Sequence, residues 1–209
     1  MHLQVRGRGR RPHPALSSVG LLGGTFNPPH LGHLACAAEA CDQLGLDRVD
    51  LLPVFAPPHK AIVADPGPEV RLDLCRLAVA GDDRLGVCDA EVRRGGPSYT
   101  VDTLRELDGS DELTFIVGGD MALSLSAWRE PAEILRRARL GVAERGNIRR
   151  VDIKRALASL GAPPVEFFTM PRFDISSTDI RARVAAGRSV RHLVPPAVAD
   201  AIDDRGLYR

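Results

Sequence analysis

Short apolar runs alternate with longer segments of helical period from Val19 to the C-terminus, and this alternation restricts the fold more than any other feature. Each run is short and rich in leucine or β-branched residues, which predicts buried strands: VGLLGG, RVDLLPV, RLGVCD, ELTFIVGG, RLGVAE and VEFFTM. The segments between them, such as LGHLACAAEACDQLG and PEVRLDLCRLAVAG, predict helices, and SYTVDTLREL predicts another with Ser98 as its N-cap. We therefore expect a Rossmann-like α/β fold, with a doubly wound, mostly parallel sheet flanked by helices and two further helices at the C-terminus.

The chain is long enough for one domain, and its N-terminus differs in composition from the rest. Its 209 residues are 44% apolar, and no linker or change of composition divides residues 18–209, which we expect to form a single domain. Residues 1–17 are arginine-rich and contain no acidic residue, so we expect a disordered tail. A start codon assigned too early, a transit peptide and a nucleic-acid-binding arm are the alternatives.

Charge and cysteine content exclude several classes of protein. A net charge of +1 provides no global field that would recruit nucleic acid or an acidic membrane, and no apolar run approaches the roughly 20 residues that span a bilayer. Cys36, Cys41, Cys75 and Cys88 form no C-x-x-C pair and lie among apolar residues, which is typical of buried thiols in a reducing cytoplasm. A zinc site built from Cys36, Cys41 and nearby histidines is the alternative.

The unusual residues follow the predicted strands. Gly23–Gly24 ends the first strand, APPHK follows the second, Gly118–Gly119–Asp120 follows the fourth, and DISST follows the last. Ligands of an open parallel sheet bind at the carboxyl ends of its strands, so these residues are expected to share one crevice. The long irregular segment FAPPHKAIVADPGP within this set has the length of a functional lid.

The stretch GGTFNPPHLGH combines a glycine turn with two histidines three residues apart at a predicted helix start. Glycines allow close approach of the backbone to a ligand, and a helix start offers N–H donors to phosphate. The stretch lacks the lysine of a Walker loop and the spacing of G-x-G-x-x-G. His30 and His33 project on one face, where they could donate to nucleotide phosphates. Helix capping or packing is the structural alternative, and metal ligation is a third that lacks a nearby carboxylate.

Several motifs in order resemble one enzyme family. GGTFNPPHLGH and ISSTDIR are similar to the two signatures of the nucleotidyltransferase α/β superfamily, while APPHK, SYTVDTL, VGGDMALSLSAWRE and VRHLVPPAV resemble nicotinate-nucleotide adenylyltransferases. The resemblance implies transfer of AMP from ATP to nicotinate mononucleotide, which forms nicotinate adenine dinucleotide and pyrophosphate on the route to NAD. It also implies in-line attack, no covalent enzyme intermediate and Mg²⁺ carried by ATP. A monomer and a homodimer are both compatible with the sequence.

The same resemblance implies a role for each matching residue. The catalytic phosphate ligands would be His30, His33 and Arg181. The ATP-binding residues would be Gly24, Thr25, Phe26, Lys60, Gly118, Asp120, Ser176, Ser177 and Thr178. The mononucleotide-binding residues would be His59, Tyr99, Thr100, Trp128 and Arg145, with Trp128 stacked on the nicotinate ring and the N–H groups of Tyr99 and Thr100 receiving its carboxylate. Without the other motifs, ISSTDIR would be an ordinary N-cap, Asp120 a helix cap, Trp128 a core residue and Lys60 a solvent-facing lysine.

Two positions depart from the family pattern. Asn27 stands where many relatives have Asp, and the usual R-P-G after the fifth strand reads ERGN here, which weakens the assignment of Arg145. Two other functions remain open. One is a sibling enzyme that acts on nicotinamide mononucleotide or pantetheine phosphate. The other is a non-catalytic module that senses a nucleotide, against which the intact His30, His33 and Arg181 argue.

Overall fold

Six strands form the central sheet of the protein. The computed structural model describes residues 16–58, 61–109, 111–144, 148–161 and 165–209. The strands are β1 (Ser18–Gly24), β2 (Arg48–Pro53), β3 (Leu85–Val87), β4 (Glu112–Gly118), β5 (Arg139–Glu144) and β6 (Val165–Thr169). Their order is β3-β2-β1-β4-β5-β6, and every strand pair within the described ranges is parallel. The predicted Rossmann-like, doubly wound sheet is thereby confirmed.

Helices connect the strands and cover the sheet. They are α1 (Leu31–Leu44), α2 (Pro68–Val79), α3 (Ala90–Arg94), α4 (Thr100–Glu106), α5 (Gly119–Ser124), α6 (Pro131–Arg137), α7 (Arg150–Leu157), α8 (Ser177–Ala185) and α9 (Pro196–Asp204). Short 3₁₀ turns at Leu125–Ala127 and Ala158–Leu160 follow α5 and α7. None of the described helices is long and apolar enough to cross a membrane.

Both faces of the sheet are buried. Leu21 packs into the hydrophobic cluster on one face and its neighbour Leu22 into the cluster on the other, and Phe115 and Ile116 of β4 divide in the same way. Successive side chains of a strand point to opposite faces, so a strand covered on both sides needs a continuous apolar run. A third cluster joins α2, α8 and α9, which fixes the C-terminal helices against the rest of the fold.

The structure corrects three local predictions. Ser98 is not the N-cap of α4, because Tyr99 takes that position and the Ser98 hydroxyl accepts a hydrogen bond from the N–H of Phe55 at 2.9 Å. The third strand is shorter than RLGVCD and ends at Val87. Helices α3 and α5 were not predicted, since segments of five and six residues are too short to show a helical period.

Two further predictions concern the four cysteines and the N-terminal tail. Cys36, Cys41 and Cys75 are buried free thiols, and Cys88 is a free thiol that is partly exposed. The predicted tail of residues 1–17 lies outside the described residues except at positions 16 and 17.

Candidate active site

The centre of the site is the turn between β1 and α1. Strand β1 lies between β2 and β4, where the direction of strand order reverses, and ligands of such sheets bind at the carboxyl ends of the strands around this point. Phe26 has a φ of 50°, and the peptide bond between Asn27 and Pro28 is cis. The Phe26 ring folds back over Gly24, where a Cβ atom would lie 2.9 Å from the ring. Position 24 therefore needs a glycine to keep this turn.

His30 and His33 lie together at the start of α1. Their rings are stacked with centroids 3.6 Å apart, and the Phe26 ring meets His33 edge to face at 4.9 Å. The backbone N–H of His30, the N-cap residue, donates to Nδ1 of His33 at 3.2 Å. A neutral His33 ring that accepts at Nδ1 carries its proton on Nε2. The pair thus packs and caps the helix, as the structural alternative supposed, and the same contacts fix the tautomer of His33.

Close packing explains why one residue between the two histidines, Gly32, is a glycine. A Cβ atom at this position would lie 3.2 Å from the His30 ring and 3.3 Å from Cβ of Phe173. Those separations are tighter than ordinary van der Waals contact, so a side chain would displace the His30 ring or the segment that precedes α8.

The start of α8 is bonded to this turn, although Ser177 lies 149 residues after Pro28 in the chain. The Ser177 hydroxyl donates to the carbonyl of Pro28 at 2.8 Å, and Nη1 of Arg181 donates to the carbonyl of Asn27 at 2.7 Å. Nη2 of Arg181 donates to the Thr178 hydroxyl at 3.3 Å. The structure therefore brings the two predicted phosphate-binding motifs into direct contact.

Ser176 is the N-cap of α8, as its sequence context suggested. Its hydroxyl accepts from the N–H of Asp179 at 3.1 Å and donates to the carboxylate of Asp179 at 2.6 Å. The Ser176 hydroxyl therefore uses both its donor and its acceptor within the first turn of α8.

A second group of predicted residues lies around the start of α4. Tyr99 is the N-cap residue and Thr100 is the first helical residue, so their N–H groups lie at the positive end of the helix. The guanidinium of Arg129 lies 4.7 Å from the centre of the Tyr99 ring and donates to Asp102 at 3.1 Å. The N–H of Ser98 also donates to the carbonyl of Ala56 at 2.8 Å, which ties this segment to the end of β2.

A buried carboxyl group supports the start of α4. Glu91 is 3% exposed and accepts a hydrogen bond from the Thr103 hydroxyl at 2.8 Å. Burial raises the pKa of Glu91, while hydrogen bonds from Ser98 and Thr103 oppose that shift. The glutamate thus joins α3 to α4.

Trp128, Gly118 and Asp120 complete the described part of the predicted site. The Trp128 ring is partly exposed, meets Phe115 edge to face at 6.0 Å and donates from Nε1 to the Ser124 hydroxyl at 3.4 Å. Gly118 ends β4 and is the N-cap of α5, and Asp120 is exposed in the first turn of that helix. A Cβ atom at position 118 would lie 2.8 Å from Oδ1 of Asp120, so the glycine leaves room for the carboxylate.

Three predicted site residues, His59, Lys60 and Arg145, lie outside the described residues. Their assignment to phosphate or mononucleotide binding therefore stays a prediction. In the part of the chain that the structure describes, no group of three or more His, Cys, Asp or Glu residues could hold a metal ion.

Sequence reasoning missed Arg71, and it did not foresee how Asn27 is used. The Asn27 amide donates to the carbonyls of Val63 and Ala64, at 3.0 and 3.4 Å, and an aspartate could not make these bonds. Arg71 is fully buried and bonded to the same region. Its signal in the sequence is a basic residue in register with the buried stripe of α2, which continues at Leu74 and Cys75.

Comparisons with known proteins show which family and which fold this chain resembles. The cytidylyltransferase-like family matches residues 21–183. A protein of Pelobacter propionicus named "Probable nicotinate-nucleotide adenylyltransferase" is 40% identical over 91% of this chain and 97% of its own length. A Thermus thermophilus protein of the same name is 44% identical over 91% of this chain and 99% of its own. The Plasmodium falciparum nicotinic acid mononucleotide adenylyltransferase, solved with NaAD, has the same fold, with a TM-score of 0.73 at 16% identity over 92% and 97% of the two chains.

The fold and the paired motifs at the switch point define the class of this enzyme as a nucleotidyltransferase. Within that class, the chain belongs to the nicotinate-nucleotide adenylyltransferase family, to which its relatives correspond over nearly their whole length. The resemblance drawn from the sequence motifs is confirmed.

Proposed function

We propose that this protein transfers AMP from ATP to nicotinate mononucleotide and so forms nicotinate adenine dinucleotide and pyrophosphate, a step in the synthesis of NAD. The observation that carries the proposal is the contact of α8 with the β1–α1 turn, which places Arg181 and His33 at one end of the sheet. The family name of the relatives supports it, as do P. falciparum structures of the same fold that contain NaAD or APC.

The reaction proposed is a direct displacement at the α-phosphorus of ATP. An oxygen of the mononucleotide phosphate forms a bond to that phosphorus, the bond to the bridging oxygen of the β-phosphate breaks, and pyrophosphate leaves with the electron pair. Such a step needs positioning and charge stabilisation more than covalent chemistry. The Nε2 proton of His33 and the guanidinium of Arg181 would donate to phosphate oxygens as charge develops on them.

The acceptor would occupy the region around the start of α4. The N–H groups of Tyr99 and Thr100 would receive the nicotinate carboxylate, and the partly exposed face of Trp128 would stack on the ring. A helix start favours an anion, so this site would select the acid over the neutral carboxamide. In the ATP site, Asp120, exposed beyond Gly118, would bind ribose hydroxyls.

Mg²⁺ would reach the site with ATP. The described residues offer no ready-made cage for the ion, and Mg²⁺ is commonly held by substrate phosphates and water with one or two carboxylates. When bound, it would supply charge neutralisation on the phosphates. The proposed location is the cytoplasm, which would supply ATP and keep the four thiols reduced.

The test is a pyrophosphate-release assay with ATP, Mg²⁺ and three acceptors: nicotinate mononucleotide, nicotinamide mononucleotide and pantetheine phosphate. We expect the highest kcat/KM with nicotinate mononucleotide. Turnover with another acceptor alone would identify a sibling enzyme. ATP binding without turnover of any acceptor would identify a nucleotide-sensing module.

A further inference from the structure

Arg71 is a buried arginine whose hydrogen bonds reach well beyond its own helix. It lies in the first turns of α2, and its exposed fraction is 0%. An arginine is rarely buried unless its donors are paired, because desolvation of the charge is costly. The partners of this side chain therefore indicate what it holds in place.

The partners of Arg71 lie on three separate segments. Nη1 donates to the carbonyls of Thr25, in the β1–α1 turn, and of Val54, just after β2, at 3.0 and 2.7 Å. Nη2 donates to the carbonyl of Phe55 at 3.0 Å. Nε donates to the carboxylate of Asp65 at 2.9 Å. One guanidinium thus joins the turn, the end of β2 and the segment that leads into α2.

Phe26 links the hydrogen bond between Arg71 and Thr25 to His33, the proposed catalytic histidine. Thr25 precedes Phe26, whose φ of 50° turns its ring back towards β1, and that ring packs edge to face on His33 at 4.9 Å. A shift of the Thr25 carbonyl would move the Phe26 ring and so remove one of the contacts that orient His33, beside those of the His30 ring and the His30 N–H.

We propose that Arg71 is a positioning residue for adenylyl transfer: it fixes the Thr25 carbonyl so that the Phe26 ring holds His33 in its reactive orientation. This inference rests on the proposed function, since the reaction gives His33 its role. Arg71 lies behind the turn and acts through Phe26 without touching the reacting atoms.

Lysine cannot replace Arg71 in this role. An ammonium group has three donors around one atom, whereas the guanidinium spreads its donors over a planar fork. The four acceptors of Arg71 lie on three segments, so a lysine would leave some of them without a donor.

The experiment measures kcat and both KM values for Arg71→Met, Arg71→Lys and the control Leu140→Ala. Leu140 is buried near the amino end of β5, in the hydrophobic cluster on the sheet face opposite to that of Phe26, so its variant loses stability without removing a contact of the Phe26 ring. Assays are run at a temperature where circular dichroism shows each variant to be folded. We expect both Arg71 variants to lower kcat by about tenfold or more and to leave KM for the mononucleotide within about twofold, while Leu140→Ala keeps its kcat.

A double-mutant cycle tests the path through Phe26. If Arg71 acts through this ring, Arg71→Met combined with Phe26→Leu lowers kcat no further than the more damaging single change. Multiplicative losses, or a kcat of Arg71→Met within twofold of the wild type, would overturn the proposal. Arg71→Lys replaces Arg71→Met in the cycle if the methionine variant does not fold.

A second readout separates this proposal from the proposed function. The imidazole resonances of His33 report its orientation without any turnover, and we expect them to shift in Arg71→Lys and to stay in place in Leu140→Ala. Absence of wild-type turnover with every acceptor would refute the function alone. Unchanged His33 resonances in Arg71→Lys would refute the positioning role alone.

Discussion

The two ends of the candidate site are built differently. At the end where we propose that ATP binds, the nucleotide end, Asn27 and His30 are 2% and 5% exposed, and hydrogen bonds from α2 and α8 converge on the turn that contains them. At the end where we propose that the mononucleotide binds, the acceptor end, Tyr99, Thr100 and Trp128 are partly exposed. Preorganised groups lose little conformational entropy when a ligand binds, whereas exposed groups become ordered only through contact with the ligand. The comparison implies that catalytic rate depends on the first end and acceptor affinity on the second.

The most severe test of this division is the removal of the His33 ring. We expect His33→Ala to lower kcat by roughly 10²-fold or more, because a preorganised donor to the developing charge is lost. Steady-state kinetics of pyrophosphate release provides the measurement. His192→Asn is the matched control, since His192 is exposed and its φ of 70° suits asparagine. An unchanged kcat in His33→Ala would remove His33 from the mechanism.

Asn27→Asp tests whether the buried turn depends on the amide. The change removes the donors to the carbonyls of Val63 and Ala64 and places a carboxylate against them, so we expect a loss of about 2 kcal/mol in the free energy of unfolding at neutral pH. Urea denaturation measures this loss.

The pH dependence of the stability of Asn27→Asp shows whether the missing donor or lost packing causes the deficit. A buried carboxyl beside carbonyl oxygens has a raised pKa in the folded state, so the folded variant binds its proton more tightly than the unfolded chain. Its stability deficit should therefore shrink as pH falls and grow as pH rises through that pKa. A deficit that is constant with pH would show that lost packing, and not the missing donor, causes it.

At the acceptor end, Trp128→Ala should change affinity and leave rate alone. Loss of stacking on a flat ring is expected to raise KM for nicotinate mononucleotide by about tenfold, with kcat and KM for ATP within about twofold. Trp128→Phe, which keeps an aromatic face, should recover most of the affinity. An effect confined to KM for ATP would contradict stacking and would place Trp128 at the nucleotide end.

The sequence predicted the parts of the molecule that depend on periodicity and on local chemistry. Buried strands on both sheet faces need continuous apolar runs, so VGLLGG and ELTFIVGG were recognisable as strands. The rule for carboxyl ends of strands placed GGTFNPPHLGH and ISSTDIR in one crevice, and the structure joins them through Ser177 and Arg181.

What the sequence did not reveal are long-range polar contacts. The register of Arg71 with the buried stripe of α2 indicates burial, but nothing local shows that carbonyls of distant segments surround it. Ser98 has the character of an N-cap, but its hydroxyl is taken by the N–H of Phe55, which lies 43 residues earlier. The local capping rule fails at Ser98 because a tertiary partner, the N–H of Phe55, occupies its hydroxyl.

The smallest expected effect concerns the cap of α8, and it separates stability from catalysis within the nucleotide end. Ser176→Ala removes the acceptor of the Asp179 N–H, so we expect it to cost about 1 kcal/mol in the free energy of unfolding. Because the hydroxyl already donates to the Asp179 carboxylate and accepts from its N–H, any contribution of Ser176 to ATP binding would come from its backbone.

We therefore expect kcat and KM for ATP of folded Ser176→Ala to stay within about twofold of the wild type. Ser176→Asn, which keeps a side-chain acceptor, should restore most of the stability. A fall in kcat with no loss of stability would mean that the hydroxyl leaves Asp179 and binds phosphate during the reaction. The nucleotide end would then be rebuilt on binding, in contrast to the preformed state that its buried contacts indicate.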